Sequence, residues 1–258
     1  MTQWTVERVA GELLAREHDR RDGGRLVDDW PELDLATAYE AQDVLLRKKI
    51  DAGERVVGVK LGLTSRAKQE RMGVHSPITG WLTDGMVLPA GAPVPPLIHP
   101  RVEPEIVFVL GKPLRGPGIT GPVALDAVAS VHAGFEVIDS RYTDFRFTLP
   151  DVVADNASAA RFVVGATGVP PTALDLRLEA CVLSVQGEPV DSATGAAVQG
   201  HPAEALALAA NDLGRRGITL EAGWLVLTGG LTDAVPLRPK ETVTAEFRHL
   251  GTVYIEGG

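Results

Sequence analysis

Residues 134–162 have the sequence GFEVIDSRYTDFRFTLPDVVADNASAARF, in which an apolar strand is followed by carboxylates, an arginine and small polar residues. Phe135 and Val137 alternate with Glu136 and Ile138, which is the two-residue period of a β-strand. Glu136 is therefore expected on the face opposite Phe135 and Val137. A carboxylate on a strand that packs in the core needs a partner.

Two further glutamates occur upstream, in the segment VEPEIVFVL of residues 102–110. Glu103 and Glu105 are two residues apart, so on an extended strand they point to the same side, roughly 6–7 Å from each other. Three carboxylates that converge without a cation repel one another, whereas hard divalent ions such as Mg²⁺ bind oxygen ligands of this kind. Glu103, Glu105 and Glu136 are the candidate metal ligands.

The composition excludes several functions. A chain of 258 residues with 45% apolar residues can bury a sizeable core, and its formal charge of −9 argues against non-specific binding to nucleic acid or to an anionic membrane. Its one cysteine, Cys181, permits neither an internal disulfide nor a thiolate zinc site. The N-terminus is too charged for a signal peptide and no apolar run is long enough to span a bilayer, so we expect a cytoplasmic protein.

The N-terminal part of the chain has a helical pattern. Residues 3–21 place apolar side chains at helical spacing, and Asp34 is a plausible N-cap of a second helix that ends near Gly53. We expect residues 1–54 to form a helical lobe and residues 55–258 a catalytic core, without a linker between them.

Lys60 lies in the strand pattern VVGVKLG, on the face opposite Val57, Val59 and Leu61. Glycines at i−2 and i+2 remove bulk from the face of Lys60, so that a ligand or another backbone can approach it closely. The alternative is a lysine on the solvent side of an edge strand, where it blocks aggregation. The spacing does not separate the two interpretations.

Residues 66–100 are rich in Gly and Pro and indicate either a lid or an irregular connection. Without another ligand at suitable spacing, His75 and His99 are expected to be surface or hydrogen-bonded residues. Residues 123–131 are expected to be helical.

Nearer the C-terminus, residues 178–190 have the pattern of a hairpin in which Cys181 is a small core residue. The small residues 156–160 permit close approach of the backbone to a ligand, with tight core packing as the alternative. Residues 224–227 are expected to form a buried strand that ends in Thr228-Gly229-Gly230, whose amides could meet an anion.

A set of motifs, taken in order and spacing, resembles the hydratase/decarboxylase branch of the fumarylacetoacetate hydrolase superfamily from about residue 30 to 255. The motifs are GVKLGLTS with MGVHSPITGWL, HPRVEPEI, FEVIDSRYTDFRF with VVADNASAARF, GHPAEAL, and VLTGGLTDAVPL. Each motif is weak alone, and the set is specific. Relatives that hydrolyse carbon–carbon bonds activate water with a His–Glu pair, and the loop region has no HxxE-like pattern for it.

The resemblance implies an α+β fold, with a mixed and strongly bent β-sheet roll and helices packed outside. It also implies a Mg²⁺ or Mn²⁺ site at Glu103, Glu105 and Glu136, with Lys60 as the catalytic residue. Ser158 and Thr228 fall where such enzymes line the substrate pocket. Because the chain is acidic, the far end of a dicarboxylate needs a local cation or backbone amides, and Arg141 and the Thr228-Gly229-Gly230 segment are the candidates.

The activity that the resemblance implies is metal-dependent decarboxylation of 2-oxo-3-hexenedioate to 2-hydroxypenta-2,4-dienoate in aromatic meta-cleavage catabolism. Hydration of 2-hydroxypenta-2,4-dienoate is the first alternative. A catalytically silent partner subunit is the second, but it need not retain Glu103, Glu105, Glu136 and Lys60 together. A homo-oligomer and a complex with a hydratase are also expected.

Overall fold

The computed structural model describes residues 3–65, 69, 70, 73, 77–89 and 91–258. His75 lies outside these residues. Among the helices of the described residues, none is both long and apolar enough to cross a membrane. The helices are α1 (Val6–Asp19), α2 (Leu26–Asp29), α3 (Leu35–Asp51), α4 (Gly121–Asp126), α5 (Leu149–Ala154) and α6 (Pro202–Arg215). The strands are β1 (Val56–Gly62), β2 (Ile78–Thr83), β3 (Arg101–Leu110), β4 (Val128–Ile138), β5 (Ala159–Val164), β6 (Ala180–Val185), β7 (Glu188–Thr194), β8 (Leu225–Gly230), β9 (Val235–Pro236), β10 (Thr242–Phe247) and β11 (Gly251–Glu256).

The two predicted N-terminal helices are confirmed: α1 lies within the predicted residues 3–21, and α3 begins after the predicted N-cap Asp34 and ends shortly before Gly53. Thr5 and Asp34 cap α1 and α3, each by accepting a hydrogen bond from a backbone N–H in the first turn. Gly53 follows α3 with a φ of +103°, the left-handed conformation that commonly ends a helix. Local capping chemistry therefore decides these boundaries.

The N-terminal helices pack against a distant part of the chain. Leu45 of α3 and Val153 of α5 belong to one buried apolar cluster. The Gln42 side-chain amide donates to the carbonyls of Thr79 in β2 and Val153, both at 2.9 Å. The division into residues 1–54 and 55–258 stays a prediction, because the two parts share this core and these hydrogen bonds.

A mixed sheet forms the centre of the described structure. Its strand order is β2-β1-β8-β3-β4-β5, and the short β9 pairs with β3 as the seventh strand. β1 and β8 are parallel, while the other neighbouring strands are antiparallel. The mixed sheet and its outer helices confirm the predicted α+β class.

A second, four-stranded sheet has the order β11-β10-β6-β7. The predicted hairpin is confirmed, with β6 and β7 joined at Gln186 and Gly187, whose φ values are 53° and 81°. Cys181 is buried, as predicted, and shares one apolar cluster with Phe108 of β3 and Phe247 of β10. This cluster joins the two sheets into one core.

Two segments differ from their prediction. Residues 123–131 are not one helix, because α4 ends at Asp126 and β4 begins at Val128. The β-branched side chains of Val128 and Val131 favour a strand, and both residues pair with β3. β2, which lies inside the predicted loop region, was missed because all its residues are buried and no alternation marks it.

Substitution of Gly58 tests whether stability depends on the close approach of β1 to β8 at this residue. A Cβ atom built on Gly58 would overlap the carbonyl oxygen of Leu225. Replacing Gly58 with Ala is therefore expected to lower the free energy of unfolding by about 2 kcal/mol or more, as backbone overlap cannot be relieved by a rotamer change. Denaturant unfolding measures this change.

Gly11 provides the matched control, because a Cβ built there in α1 has no heavy atom within 4 Å apart from its neighbours and the adjacent backbone of the same helix. Gly11→Ala is expected to raise the free energy of unfolding by roughly 0.5–1 kcal/mol. Equal stability changes in the two variants would contradict the steric account of Gly58.

Candidate active site

Three glutamates meet on one face of the central sheet. Glu103 and Glu105 lie on β3, and Glu103 pairs in register with Glu136 of β4. One carboxylate oxygen from each glutamate lies within 4.8 Å of the other two. Glu105 and Glu136 are 0% and 1% exposed, so this cluster is buried in the sheet. The structure thus brings together the three predicted ligands.

Ionisation of the two buried carboxylates, Glu105 and Glu136, is unfavourable. Burial raises the pKa of Glu105 well above its usual range, and the carboxylates of Glu136 and Glu103 raise it further. Burial also raises the pKa of Glu136, against the opposing effect of Lys60. Within the described residues, the Oε1 atoms of Glu105 and Glu136 accept no hydrogen bond.

A divalent cation fits this donor set. It would add positive charge beside the three clustered carboxylates and would coordinate the buried oxygens that accept no hydrogen bond among the described residues. Mg²⁺ and Mn²⁺ both bind carboxylate oxygens. Glu103, Glu105 and Glu136 are therefore the residues that would hold the ion.

The glycine pair of β8 makes room for these carboxylates. Gly229 donates its backbone N–H to Glu105 Oε2 at 2.7 Å. A Cβ on Gly230 would lie 2.7 Å from Cδ of Glu103, so a larger residue would displace that carboxylate. The predicted meeting of an amide with an anion occurs here, but the anion is the protein's own Glu105.

Lys60 is part of the same cluster. Its Nζ lies 2.9 Å from Glu136 Oε2 and donates to the Ala157 carbonyl at 3.0 Å. The side chain is 3% exposed, and β1 is flanked by β2 and β8. The edge-strand interpretation of Lys60 is therefore wrong. Gly80, the cross-strand partner of Lys60, leaves space for the lysine stem, because a Cβ there would lie 3.0 Å from Lys60 Cδ.

A left-handed turn supports the lysine from the opposite side. Asn156, Ala157 and Ser158 have φ values of 50°, 52° and 58°, which non-glycine residues adopt only when the surroundings impose them. The Asn156 side chain holds the turn, since Oδ1 accepts from Trp81 N at 2.7 Å and Nδ2 donates to Trp81 O at 2.9 Å. The turn thereby presents the Ala157 carbonyl to Lys60.

Thr228 and Arg141 lie beside the site without lining its cavity. The Thr228 hydroxyl is fully buried and donates to the Ile106 carbonyl at 2.8 Å. The Arg141 guanidinium pairs with the Asp155 carboxylate and donates to the backbone of residues 139, 155 and 159. The structure does not support direct substrate contact by either residue, because their donors are used internally.

Arg141 instead supports the left-handed turn. Burial raises the pKa of Asp155 to about 6, despite the lowering effect of Arg141. The Ser158 hydroxyl donates to Asp155 Oδ2 at 3.4 Å. The buried pair of Asp155 and Arg141 therefore fixes the chain next to Ser158.

The site opens into a cavity of about 1110 Å³. Lys60, Glu103 and Ser158 line it, and of these three Ser158 is the one predicted to line the substrate pocket. The predictions missed the cationic side chains that also line this cavity, Arg25, Arg101 and Arg146. Only Arg101 carried a signal in the sequence, because it precedes Glu103 by two residues and belongs to the same strand face.

Comparison with known proteins places the chain in one family. The family model described as fumarylacetoacetate (FAA) hydrolase C-terminal matches residues 57–255. The chain is 42% identical to a 4-oxalocrotonate decarboxylase of Pseudomonas sp. (strain CF600) over 98% of this chain and 97% of the relative. It is also 42% identical to a 2-hydroxyhexa-2,4-dienoate hydratase of Comamonas testosteroni, over 90% and 89%.

A solved structure of a related protein has the same fold. The 4-oxalocrotonate decarboxylase from Pseudomonas putida G7, complexed with magnesium and adipate, superposes with a TM-score of 0.96 and 40% identity over the full length of both chains. The predicted roll fold is thereby confirmed.

Replacing Glu105 with Gln tests the metal site, since Gln keeps the shape and removes one charge. Mn²⁺ affinity, measured by calorimetry, is expected to fall by at least about tenfold in Glu105→Gln, and likewise in Glu103→Gln and Glu136→Gln. The melting temperature of metal-free Glu105→Gln should not fall, because the raised pKa of Glu105 means that its ionised form opposes folding near neutral pH.

The exposed Glu188 on β7 serves as a control, and Glu188→Gln should bind Mn²⁺ like the wild type. Unchanged Mn²⁺ affinity in all three cluster variants would refute the metal site.

Proposed function

Because the chain belongs to the fumarylacetoacetate hydrolase family, we propose that it is a Mg²⁺-dependent decarboxylase that converts 2-oxo-3-hexenedioate to 2-hydroxypenta-2,4-dienoate and CO₂. This reaction belongs to meta-cleavage catabolism of aromatic compounds. The observation that carries the proposal is the cluster of Glu103, Glu105 and Glu136 in contact with Lys60, at the wall of one cavity. The decarboxylase relatives at 42–46% identity support the same assignment.

The electron flow of this reaction explains why a cationic site is needed. The departing carboxylate of 2-oxo-3-hexenedioate is separated from the C2 ketone by a double bond. When the C5–C6 bond breaks, its electrons move through the double bond to the ketone oxygen, which becomes a dienolate. A bound Mg²⁺ supplies Lewis-acid stabilisation of that oxygen. The task of the protein is to hold positive charge and a proton near it.

Lys60 performs this task in the proposed mechanism. Its ammonium group is held by Glu136 Oε2 and the Ala157 carbonyl, so it is oriented before the substrate arrives. From there it adds positive charge at the developing oxyanion or gives a proton to the dienolate oxygen, which yields the dienol product. Ser158, which lines the same cavity, is assigned to substrate positioning.

Hydration of 2-hydroxypenta-2,4-dienoate is the second candidate. A hydratase is 42% identical to this chain, the same value as one decarboxylase relative, so identity to these two does not separate the activities. A silent partner subunit is less well supported, since the buried carboxylates oppose one another unless they bind a cation.

The assembly and compartment of the enzyme are part of the proposal. We infer a cytoplasmic homo-oligomer that also forms a complex with a hydratase. Large apolar side chains that are exposed on or next to the four-stranded sheet, including Leu178, Val182 and Tyr254, support a contact surface there. The single buried cysteine is compatible with a reducing compartment.

Lys60→Met tests the catalytic role of the lysine. Turnover is expected to fall on the order of 10²–10³-fold, the scale found when one group that stabilises the transition state is removed. Mn²⁺ and oxalate binding, measured by calorimetry, should largely survive. Lys112, an exposed lysine paired with Asp126, gives the control Lys112→Met, which should keep wild-type turnover. Turnover within a few-fold of wild type in Lys60→Met would exclude the catalytic role.

The assay that separates the two activities supplies each compound alone with Mg²⁺ and follows its ultraviolet absorbance together with CO₂ release. We expect metal-dependent CO₂ release from 2-oxo-3-hexenedioate and accumulation of 2-hydroxypenta-2,4-dienoate. Hydration of the dienoate, with the hexenedioate left untouched, would assign the chain to the hydratases instead. Failure to bind either Mn²⁺ or oxalate would favour the silent subunit.

A further inference from the structure

We propose that Arg101 is the specificity-determining residue of the site and binds the substrate carboxylate that lies farthest from the metal ligands. This inference rests on the proposed function, because it requires a substrate with two carboxylates. Arg101 lines the cavity together with Lys60 and Glu103. It therefore reaches the space in which the substrate would lie.

The position of Arg101 on β3 gives the first argument. Arg101, Glu103 and Glu105 follow one another at two-residue intervals on this strand, so their side chains share one face. The repeat between such positions is about 6.6 Å, which is similar to the separation of the two ends of an extended six-carbon diacid. A diacid with one end at the glutamate cluster can thus reach Arg101 with the other.

Ring contacts hold the Arg101 guanidinium in place. Its Cζ lies 4.2 Å from the centroid of the Phe145 ring, and the His99 ring lies 4.8 Å from the same ring. His99 is fixed in turn by a 2.7 Å hydrogen bond between Nε2 and the Ser140 carbonyl. Stacking leaves the N–H donors around the edge of the guanidinium plane available to a carboxylate.

The backbone that carries Phe145 is strained. Asp144 and Phe145 both have positive φ values, 56° and 57°, although neither is glycine. Conformations of this kind are unfavourable for residues other than glycine and persist where the surroundings impose them, often at ligand sites. Here they place the ring beneath Arg101 at the cavity wall.

The other two cavity arginines are less suitable. The Nε–Nη2 edge of Arg25 donates to both carboxylate oxygens of Asp28, at 3.0 and 2.8 Å, so Asp28 already balances the charge of Arg25. The Arg146 side chain is 82% exposed and lies 3.9 Å from Asp144. For Arg101, no carboxylate oxygen of the described residues lies within the 4.0 Å of an ion pair. The remaining acidic groups at the cavity, Glu103 and Asp233, would repel a second substrate carboxylate.

The chemistry defines what Arg101 can contribute. A cation at the departing carboxylate stabilises the substrate more than the transition state, in which that charge is being lost as electrons move towards the ketone. Arg101 should therefore improve binding without accelerating the chemical step. It also favours product release, because 2-hydroxypenta-2,4-dienoate lacks the group that Arg101 binds.

Two probes that differ only in the far carboxylate test this proposal. These are 2-oxohexanedioate and 2-oxohexanoate, which carry the same 2-oxo acid end. Calorimetry with the Mg²⁺-loaded protein should give a clear preference of the wild type for the diacid. In Arg101→Gln that preference should fall by roughly 10- to 100-fold, the scale of a lost charge-assisted hydrogen bond, while 2-oxohexanoate affinity stays unchanged.

Kinetics give an independent readout. Arg101→Gln should raise KM for 2-oxo-3-hexenedioate by a similar factor without lowering kcat. Arg101→Lys, which keeps the charge, should recover part of the diacid preference. Arg146→Gln removes another arginine from the same cavity and should keep the full preference.

Three outcomes would overturn the inference. If Arg101→Gln kept the diacid preference, the inference would fail while the proposed activity stood. Equal weakening of both probes would show that Arg101 only maintains the structure. Absence of a diacid preference in the wild type would remove the proposed substrate class together with the role of Arg101.

Discussion

The rest of the site depends on the mutual repulsion of three carboxylates, of which Glu105 and Glu136 are buried and Glu103 lies at the cavity. Burial alone raises the pKa of Glu105 and Glu136, and each neighbouring carboxylate makes ionisation of Glu105 harder. Local structure reduces this repulsion from several directions. The Gly229 amide donates to Glu105, and Lys60 faces Glu136. The charge of the remaining carboxylate oxygens would be neutralised by a divalent cation. The repulsion therefore lowers the stability of the metal-free protein and would favour metal binding.

The position of Lys60 depends on Glu136 and also on segments outside the strands that carry the three glutamates. The Ala157 carbonyl that accepts from Nζ belongs to a turn held by Asn156, whose side chain pairs with the Trp81 backbone. That turn continues from α5, which packs on the N-terminal helices and receives the Gln42 hydrogen bond. The N-terminal helices are thus connected to Lys60 through one turn. Preorganisation of this kind is what an electrostatic catalyst needs, because charge that must reorient during the reaction stabilises the transition state less.

Much of the site could be predicted because its chemistry repeats along single strands. The i, i+2 spacing of Glu103 and Glu105 and the glycines around Lys60 are local patterns, and each indicated a shared face. Partners across strands were not predictable in this way. The sequence marks Arg141 as a nearby cation, but its buried ion pair with Asp155 removes it from the cavity. Arg25 and Arg146 come from separate segments that only the folded chain brings together.

The similarity to both decarboxylases and hydratases has a physical explanation in this cavity. Both reactions need positive charge near the oxygen of a 2-oxo acid or its enol, and the carboxylate cluster with Lys60 can serve either one. The substrates differ at the opposite end, where one carries a carboxylate and the other a vinyl group. With a formal charge of −9, this chain attracts a dianion only through local cations. We therefore expect the end of the cavity that receives the far end of the substrate to separate the two chemistries. Arg101, stacked on Phe145, is a cation at this cavity without a carboxylate partner among the described residues.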